Sequence, residues 1–430
     1  MSKFQIILTA IFVVFIGVGV TMFATYKGTD TSQTSPTVTI WGSYPEATFN
    51  EFVQRLSYIK TDPLNIKYTE FSKSDFRKQF IEELASGRGP DAILIPQQDI
   101  MGFFDKIIEI PNTTLSQRDF QNSFIGQANL YLTENGALAI PLTVDPLVMY
   151  WNRSMFTNAG IAKYPVYWDE FSNINKKITQ KDVNSNIRRS AVALGEFQNI
   201  DHAREILSAL LFQAGNPITF YSNGVLQSRI GDDGTGGARI SSPALGFYTK
   251  FSDPRSSEYS WNRSLLSSKN SFLSGTLATY FGFTSEISDL RAKNPNLDFD
   301  VSPLPQARNG KTRVTYGNMY GLSIVRSSKD VGSTYSAIQA LTAPDAMDIL
   351  SKLVYLPSIR RDIIAGGSVD PYMAIFLDAA LISKGWLDTS SIRSNQIFTE
   401  MVESVTSGRS DLYGALRQAD DELNISLKSQ

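Results

Sequence analysis

Between Val38 and Ile95 the chain alternates strand-forming runs with amphipathic ones, and this rhythm narrows the fold more than any other feature of the sequence. Val38-Thr39-Ile40-Trp41 is a short β-branched run that stops at Gly42. From Glu46 to Ile59, Phe49, Phe52, Val53 and Leu56 recur at helical spacing. Ile66 to Phe71 alternates as a strand. Phe76, Phe80 and Leu84 then mark a second helix, with Ser74 placed to cap it and Gly87 to stop it. Gly89-Pro90-Asp91 turns into the wholly apolar Ala92-Ile93-Leu94-Ile95. A strand apolar on both faces needs helices on both faces, and parallel neighbours need crossovers, so this region predicts an open α/β sheet.

The same reading continues downstream. Leu138–Pro141 and Leu147–Trp151 are expected as two strands separated by a turn at Pro146, and Asn152 as the cap of a short helix ending at Gly160. Helical spacing covers 168–178, 201–214, 244–251 and 267–274, with strand-like runs at 278–281, 301–304 and 320–325. After Ser328 the pattern is almost entirely helical. A chain of 430 residues has room for two or more domains of this kind.

Composition removes several function classes. With 40 Lys and Arg against 42 Asp and Glu, and a net charge of −2, the chain lacks the basic excess of a nucleic-acid binder. It has no cysteine, which excludes disulfides, thiolate metal sites, cysteine nucleophiles and a lipid-modified cysteine anchor. Its one histidine, His202, reads as a solvated residue at the start of a helix. Multi-histidine metal sites are therefore excluded, and no cofactor or metal is expected. Acidic residues abound, but no two fall in a recognisable catalytic motif. Asp232 to Gly237 reads as a surface turn, since it lacks the full spacing of a calcium or phosphate loop.

At the N-terminus, Phe4 to Tyr26 carries no charge. At a rise of about 1.5 Å per residue such a run spans a hydrocarbon core of about 30 Å. Met22-Phe23-Ala24 is a poor cleavage site, so residues 1–26 are expected to be a retained transmembrane anchor, with a cleaved signal as the alternative. Residues 27–36 read as a polar tether, which would leave the body on the extracytoplasmic side.

Several segments of the body are similar to the family 1 extracellular solute-binding proteins, the maltose-binding-protein-like group. Val38-Thr39-Ile40-Trp41-Gly42-Ser43-Tyr44-Pro45 resembles the family's first strand and ligand-side loop. Leu84 to Ile93 resembles its segment with Gly-Pro-Asp before a buried strand, and Ile140 to Asn152 is the strongest match. Trp168-Asp169-Glu170-Phe171, Phe272 to Ala278 and Thr406-Ser407-Gly408-Arg409 follow in family order. Tyr167 departs from the pattern, standing where a threonine commonly caps the helix. The resemblance implies a two-lobed α/β periplasmic-binding-protein fold of type II, after one N-terminal transmembrane helix. Lobe I would hold 37–143 and 282–327, and lobe II 144–281 and 328–430, with crossings near Pro141–Asp145, Thr279–Gly282 and Val325–Ser328. It further implies a receptor that closes on a small solute, a mono- or oligosaccharide, for ABC permease subunits.

A sugar presents hydroxyl edges and C–H faces, so its site needs aromatic platforms and fixed polar groups near strand ends. On that ground, and by the family positions they match, the expected contacts are Trp41, Ser43, Tyr44, Gln97, Gln98, Asp145, Phe283, Thr284, Tyr316, Asn318 and Tyr320. Trp41 and Phe283 have a core reading as well, and Asp145 a turn reading beside Pro146. Trp261 and Trp386 stand in loop-like segments near a presumed rim. A peptide or polyamine ligand, an adhesion or signalling role, and a carbohydrate-active enzyme remain as alternatives on this fold.

Overall fold

The computed structural model describes residues 36–60, 65–72, 74–231 and 240–428. The Phe4–Tyr26 anchor, most of the tether and the 232–237 turn lie outside the described residues. Among the described residues no helix is long and apolar enough to cross a membrane.

The opening rhythm folds as β1 (Val38–Gly42), α1 (Glu46–Ser57), β2 (Ile66–Glu70), α2 (Phe76–Ala85) and β3 (Ala92–Pro96). β1 lies between β2 and β3, parallel to both. α1 turns Phe49, Phe52 and Leu56 inward, each fully buried, which stabilises the lobe by about 1.5–3 kcal/mol per side chain. Phe49 stacks on Tyr68 of β2 with ring centroids 4.1 Å apart, fixing the strand edge that faces the β1 loop. α2 starts at Asp75 without a side-chain cap; Ser74, expected to cap it, bonds Ser72 instead.

The runs around Pro146, expected as two strands, form one thirteen-residue strand, β4 (Ile140–Asn152). Its neighbours change at the proline. Residues 140–146 pair antiparallel with β8 (Thr315–Val325), whereas 147–152 pair with β6 (Leu277–Phe283) and β7 (Phe299–Ser302). A residue lacking an N–H is tolerated where one ladder hands over to another. β8 also pairs antiparallel with β3, and β6 parallel with β5 (Ile187–Val192), giving one eleven-stranded sheet. Asn152 caps the helix after β4 as expected, accepting from the Met155 N–H at 2.9 Å.

Two large hydrophobic cores flank this sheet, with a small third cluster around Phe156 and Ile174. One gathers Ile40, Phe52, Ile93, Tyr131 and Leu322, the other Met149, Leu207, Tyr248, Tyr280 and Phe398. Residues 287–314, expected in the first lobe, contribute Ile287, Leu290, Val301, Leu304 and Val314 to the second core, because β7 zips onto β4 before the chain returns. Conversely Ile338, Leu341, Met347 and Leu350, expected in the second lobe, belong to the first core. The chain therefore crosses within β4, within β8 near Gly317, and again along the helix Pro371–Leu381. That helix gives Phe376 to one core and Leu377 to the other. The expected crossings at 279–282 and 325–328 are displaced to these places.

Candidate functional site

The pairing of β8 with β4 builds the floor between the lobes. Asn318 lies opposite Asp145 and Tyr320 opposite Thr143. Opposed and alternate residues share a face of a sheet, so Tyr316, Asn318, Tyr320, Thr143 and Asp145 point one way. The other face carries Gly317 and Met319, whose backbone carbonyls accept from Gln127 at 2.7 Å and Tyr131 at 3.4 Å. Tyr316 packs in one core and Tyr320 in the other, so the floor lies along the seam between them.

Each floor residue has a distinct environment. Tyr44 meets the Tyr320 ring edge-on at 6.2 Å, and its backbone is pinned by Tyr68, whose Oη accepts its N–H at 2.8 Å. Burial, then the nearby Asp145 carboxylate, pushes the Tyr44 hydroxyl well above the usual phenol range, so it remains a donor. Asp145 Oδ1 accepts from Thr284 Oγ1 at 2.7 Å and the Ser285 N–H at 3.1 Å. Burial raises its pKa despite these donors. Asn318 Oδ1 is buried and has no hydrogen-bond partner among the described residues. A buried acceptor without a donor costs about 1–3 kcal/mol, so an incoming hydroxyl gains there.

Beside the floor, Phe283 packs its ring 6.3 Å from Tyr316 and 4.7 Å from His202. His202 is not the solvated residue expected: its Nε2 lies 2.7 Å from Glu286 Oε1. Glu286 also accepts from Lys269, from Tyr280 and from the Phe283 N–H. This cluster holds the turn that presents Thr284 to Asp145.

A cavity of about 310 Å³ opens at the seam. Of the expected residues, Ser43, Gln98 and Tyr320 line it, and Tyr316 Oη reaches Gln98 Oε1 at 3.4 Å. Sequence reasoning missed Arg77, Asp99, Ser390 and Ser391, which also line it. Arg77 sits on the first turn of α2, and Asp99 one residue beyond the glutamine pair after β3. Ser390 caps the helix Ser391–Thr406 by accepting the Arg393 N–H at 3.3 Å. A serine pair just ahead of an amphipathic run was the available signal for the last two.

Other expected contacts stand elsewhere. Gln97 is fully buried, donating to the Gly317 carbonyl at 2.9 Å and accepting from Gln127 at 2.6 Å, so it braces β8 from behind. Trp41 packs 4.8 Å from Phe71, which meets the cavity-lining Phe76 at 6.2 Å, leaving it two rings from the cavity. Trp261 and Trp386, which stand in loop-like segments of the sequence, are both buried in the second core. Among the described residues no group of three or more acidic or histidine side chains is placed to hold a metal.

A sequence model of the bacterial extracellular solute-binding protein family matches residues 42–348. A search of curated proteins finds no match. Among solved structures, the cyclic alpha-maltosyl-1,6-maltose binding protein from Arthrobacter globiformis is similar with a TM-score of 0.75 and 15% identity, over 92% of this chain and 100% of that one. The maltose/maltodextrin-binding domain MalE from Bdellovibrio bacteriovorus, bound to maltotriose, gives 0.65 and 15%, over 92% and 100%. An ABC transporter solute-binding protein from Thermotoga lettingae bound with alpha-D-tagatose gives 0.65 and 17%, over 91% and 100%. These likenesses support the two-lobed periplasmic-binding-protein fold.

Proposed function

We propose, because this chain belongs to the bacterial extracellular solute-binding protein family, that its interlobe floor captures a mono- or oligosaccharide and delivers it to an ABC-type permease. The observation that carries the reading is the floor itself: two tyrosines, a carboxylate and an amide on one sheet face, with the Asn318 acceptor unmet. Tyr44 and Tyr320 supply apolar ring surface and hydroxyl donors. Ser43, Gln98, Asp145 and Asn318 supply the fixed polar groups that a ring of hydroxyls requires. Phe283, Thr284 and Tyr316 support them. The family is extracellular, and similar folds have been solved with saccharides bound. The uncharged Phe4–Tyr26 segment would anchor the receptor outside the cytoplasmic membrane.

A ligand that binds the folded state raises the melting temperature, by about 2.7 kcal/mol of stability at a hundredfold excess over Kd. Thermal-shift screening of saccharides, oligopeptides and polyamines, followed by calorimetric titration, is expected to select a saccharide. Asn318→Ala should weaken its binding by roughly five- to thirtyfold, the cost of one satisfied buried polar group. If only a peptide or polyamine shifts the melting curve, the carbohydrate reading falls while the receptor reading stands.

A further inference from the structure

The cavity is lined by residues of both lobes, Arg77 and Asp99 on one side and Ser390 and Ser391 on the other. Asp99, just past β3 in the first lobe, accepts the Ser391 N–H of the second lobe at 3.4 Å. Arg77 lays its guanidinium 5.3 Å above the Phe103 ring. Gly102 fits between that guanidinium and Thr389: a Cβ there would stand 2.4 Å from Arg77 Nη1 and 2.7 Å from the Thr389 carbonyl oxygen. First-lobe groups thus meet the 389–391 turn directly. The cavity that Arg77, Asp99, Ser390 and Ser391 line, with Tyr320 of the floor, has a volume of about 310 Å³, at the bottom of the roughly 300–1,000 Å³ range of small-molecule pockets. Stacking surface is limited too. Of the residues that line the cavity, the aromatic ones are Phe76, Phe103 and Tyr320, all buried, and Tyr44 stands beside Tyr320.

We infer that Arg77 and Asp99, set against the 389–391 turn, make an end wall that restricts the ligand to one or two sugar rings. This rests on the carbohydrate reading above. A third ring would have to displace the Asp99–Ser391 contact and the Arg77 guanidinium, or leave the cleft without a stacking partner. Arg77 and Asp99 then act as length selectors, and their polar groups meet the terminal hydroxyls of a short saccharide.

The test is calorimetric titration of the full chain with two series: glucose, maltose, maltotriose and maltotetraose, and mannose, mannobiose and mannotriose. In the series that binds, the three- and four-ring members should be weaker than the best one- or two-ring member by at least about tenfold, as for a group a pocket cannot house. Arg77→Ala should narrow that ratio, and Arg77→Lys, which keeps length and charge, should preserve most of it. Melting curves of the unliganded variants confirm that both fold. A longer saccharide binding as well as or better than the shorter ones, or a ratio unmoved by Arg77→Ala, overturns the end wall and leaves the carbohydrate reading intact. If no member of either series binds and the thermal-shift screen selects a peptide or polyamine, the carbohydrate reading itself falls, and the end wall with it; if the screen selects another saccharide, its one- to four-ring members decide the end wall in the same way.

Discussion

His202 takes a left-handed backbone conformation, φ 61°, immediately ahead of the helix Ala203–Ala214. A non-glycine residue held there costs about 1–3 kcal/mol, so neighbouring contacts must hold it. The Glu286 bond is one such contact, and it gives the residue a pH signature. Burial alone would lower the imidazole pKa, but the Glu286 hydrogen bond and charge, with Glu205 and Asp201 nearby, raise it above its ordinary value. Burial likewise favours a protonated Glu286, yet His202 and Lys269 bring it down to about 2. A raised histidine stabilises fully below its unfolded pKa and loses that contribution as pH climbs through the folded value. A depressed carboxylate contributes above its unfolded pKa and loses it as pH falls towards 2. The pair is therefore worth most between roughly pH 4.5 and 6.5. Melting temperature should decline on the alkaline side of that window, and His202→Gln should flatten the decline. Equal slopes in the two proteins would mean that His202 carries no proton-linked stability. Because the same cluster seats Phe283 and Thr284, the variant should also loosen the turn that holds Asp145.

At the scale of elements, β8 bears on fold and site at once. Its outer face presents Asn318 and Tyr320, and its inner face offers the Gly317 carbonyl to both Gln97 and Gln127. Gln97→Leu removes the Gln97 bonds to the Gly317 carbonyl and to Gln127, whose amide keeps the Gly317 carbonyl as acceptor at 2.7 Å, so the loss is about 0.5–1.5 kcal/mol per bond. Denaturant melts should detect this loss, with ligand affinity falling less than in Asn318→Ala because Gln97 meets the floor at the Tyr316 hydroxyl and otherwise braces the back of the strand. An affinity loss larger than that of Asn318→Ala would put Gln97 in the site instead. The difference between Gln97 and Gln98 also marks how far the sequence could be read. Local patterning located β1, α1, β2 and β3 to within a residue or two, because alternation and helical spacing are properties of the segment itself. It also brought Ser43, Gln98 and Tyr320 to one cavity through their places beside strand ends. Which of two adjacent glutamines turns inward depends on β8, more than two hundred residues away in sequence. The continuity of β4 through Pro146 likewise depends on partners that no local window contains. Arg77, Asp99 and Ser390 escaped notice because they meet only when the two lobes face one another.

For the whole molecule, the two large cores share one sheet and are joined along β4, β8 and the Pro371–Leu381 helix, and again at Trp386 and Leu387. Such a connection bends by small changes in a few backbone dihedrals, so the lobes can swing apart at the cleft mouth. The structure has them in contact there: Asp99 meets Ser391, and the Tyr221 hydroxyl approaches Met101 Sδ at 3.5 Å. These contacts join the lobes at the mouth, and a ligand on the floor that bridges both lobes would add its binding energy to the closed arrangement. Small-angle scattering should therefore give a smaller radius of gyration with saturating saccharide than without. Gly102→Val offers a direct control. Its new side chain would press on the Thr389 carbonyl across the mouth, while the Arg77 guanidinium, the end of a flexible side chain, can move aside. The variant should keep its unliganded melting temperature, bind more weakly, and retain the larger radius at ligand concentrations that close the native chain. Unchanged scattering in the native protein at saturation would mean a rigid cleft. Full closure of Gly102→Val would mean that the mouth contact lies outside the path of the swing.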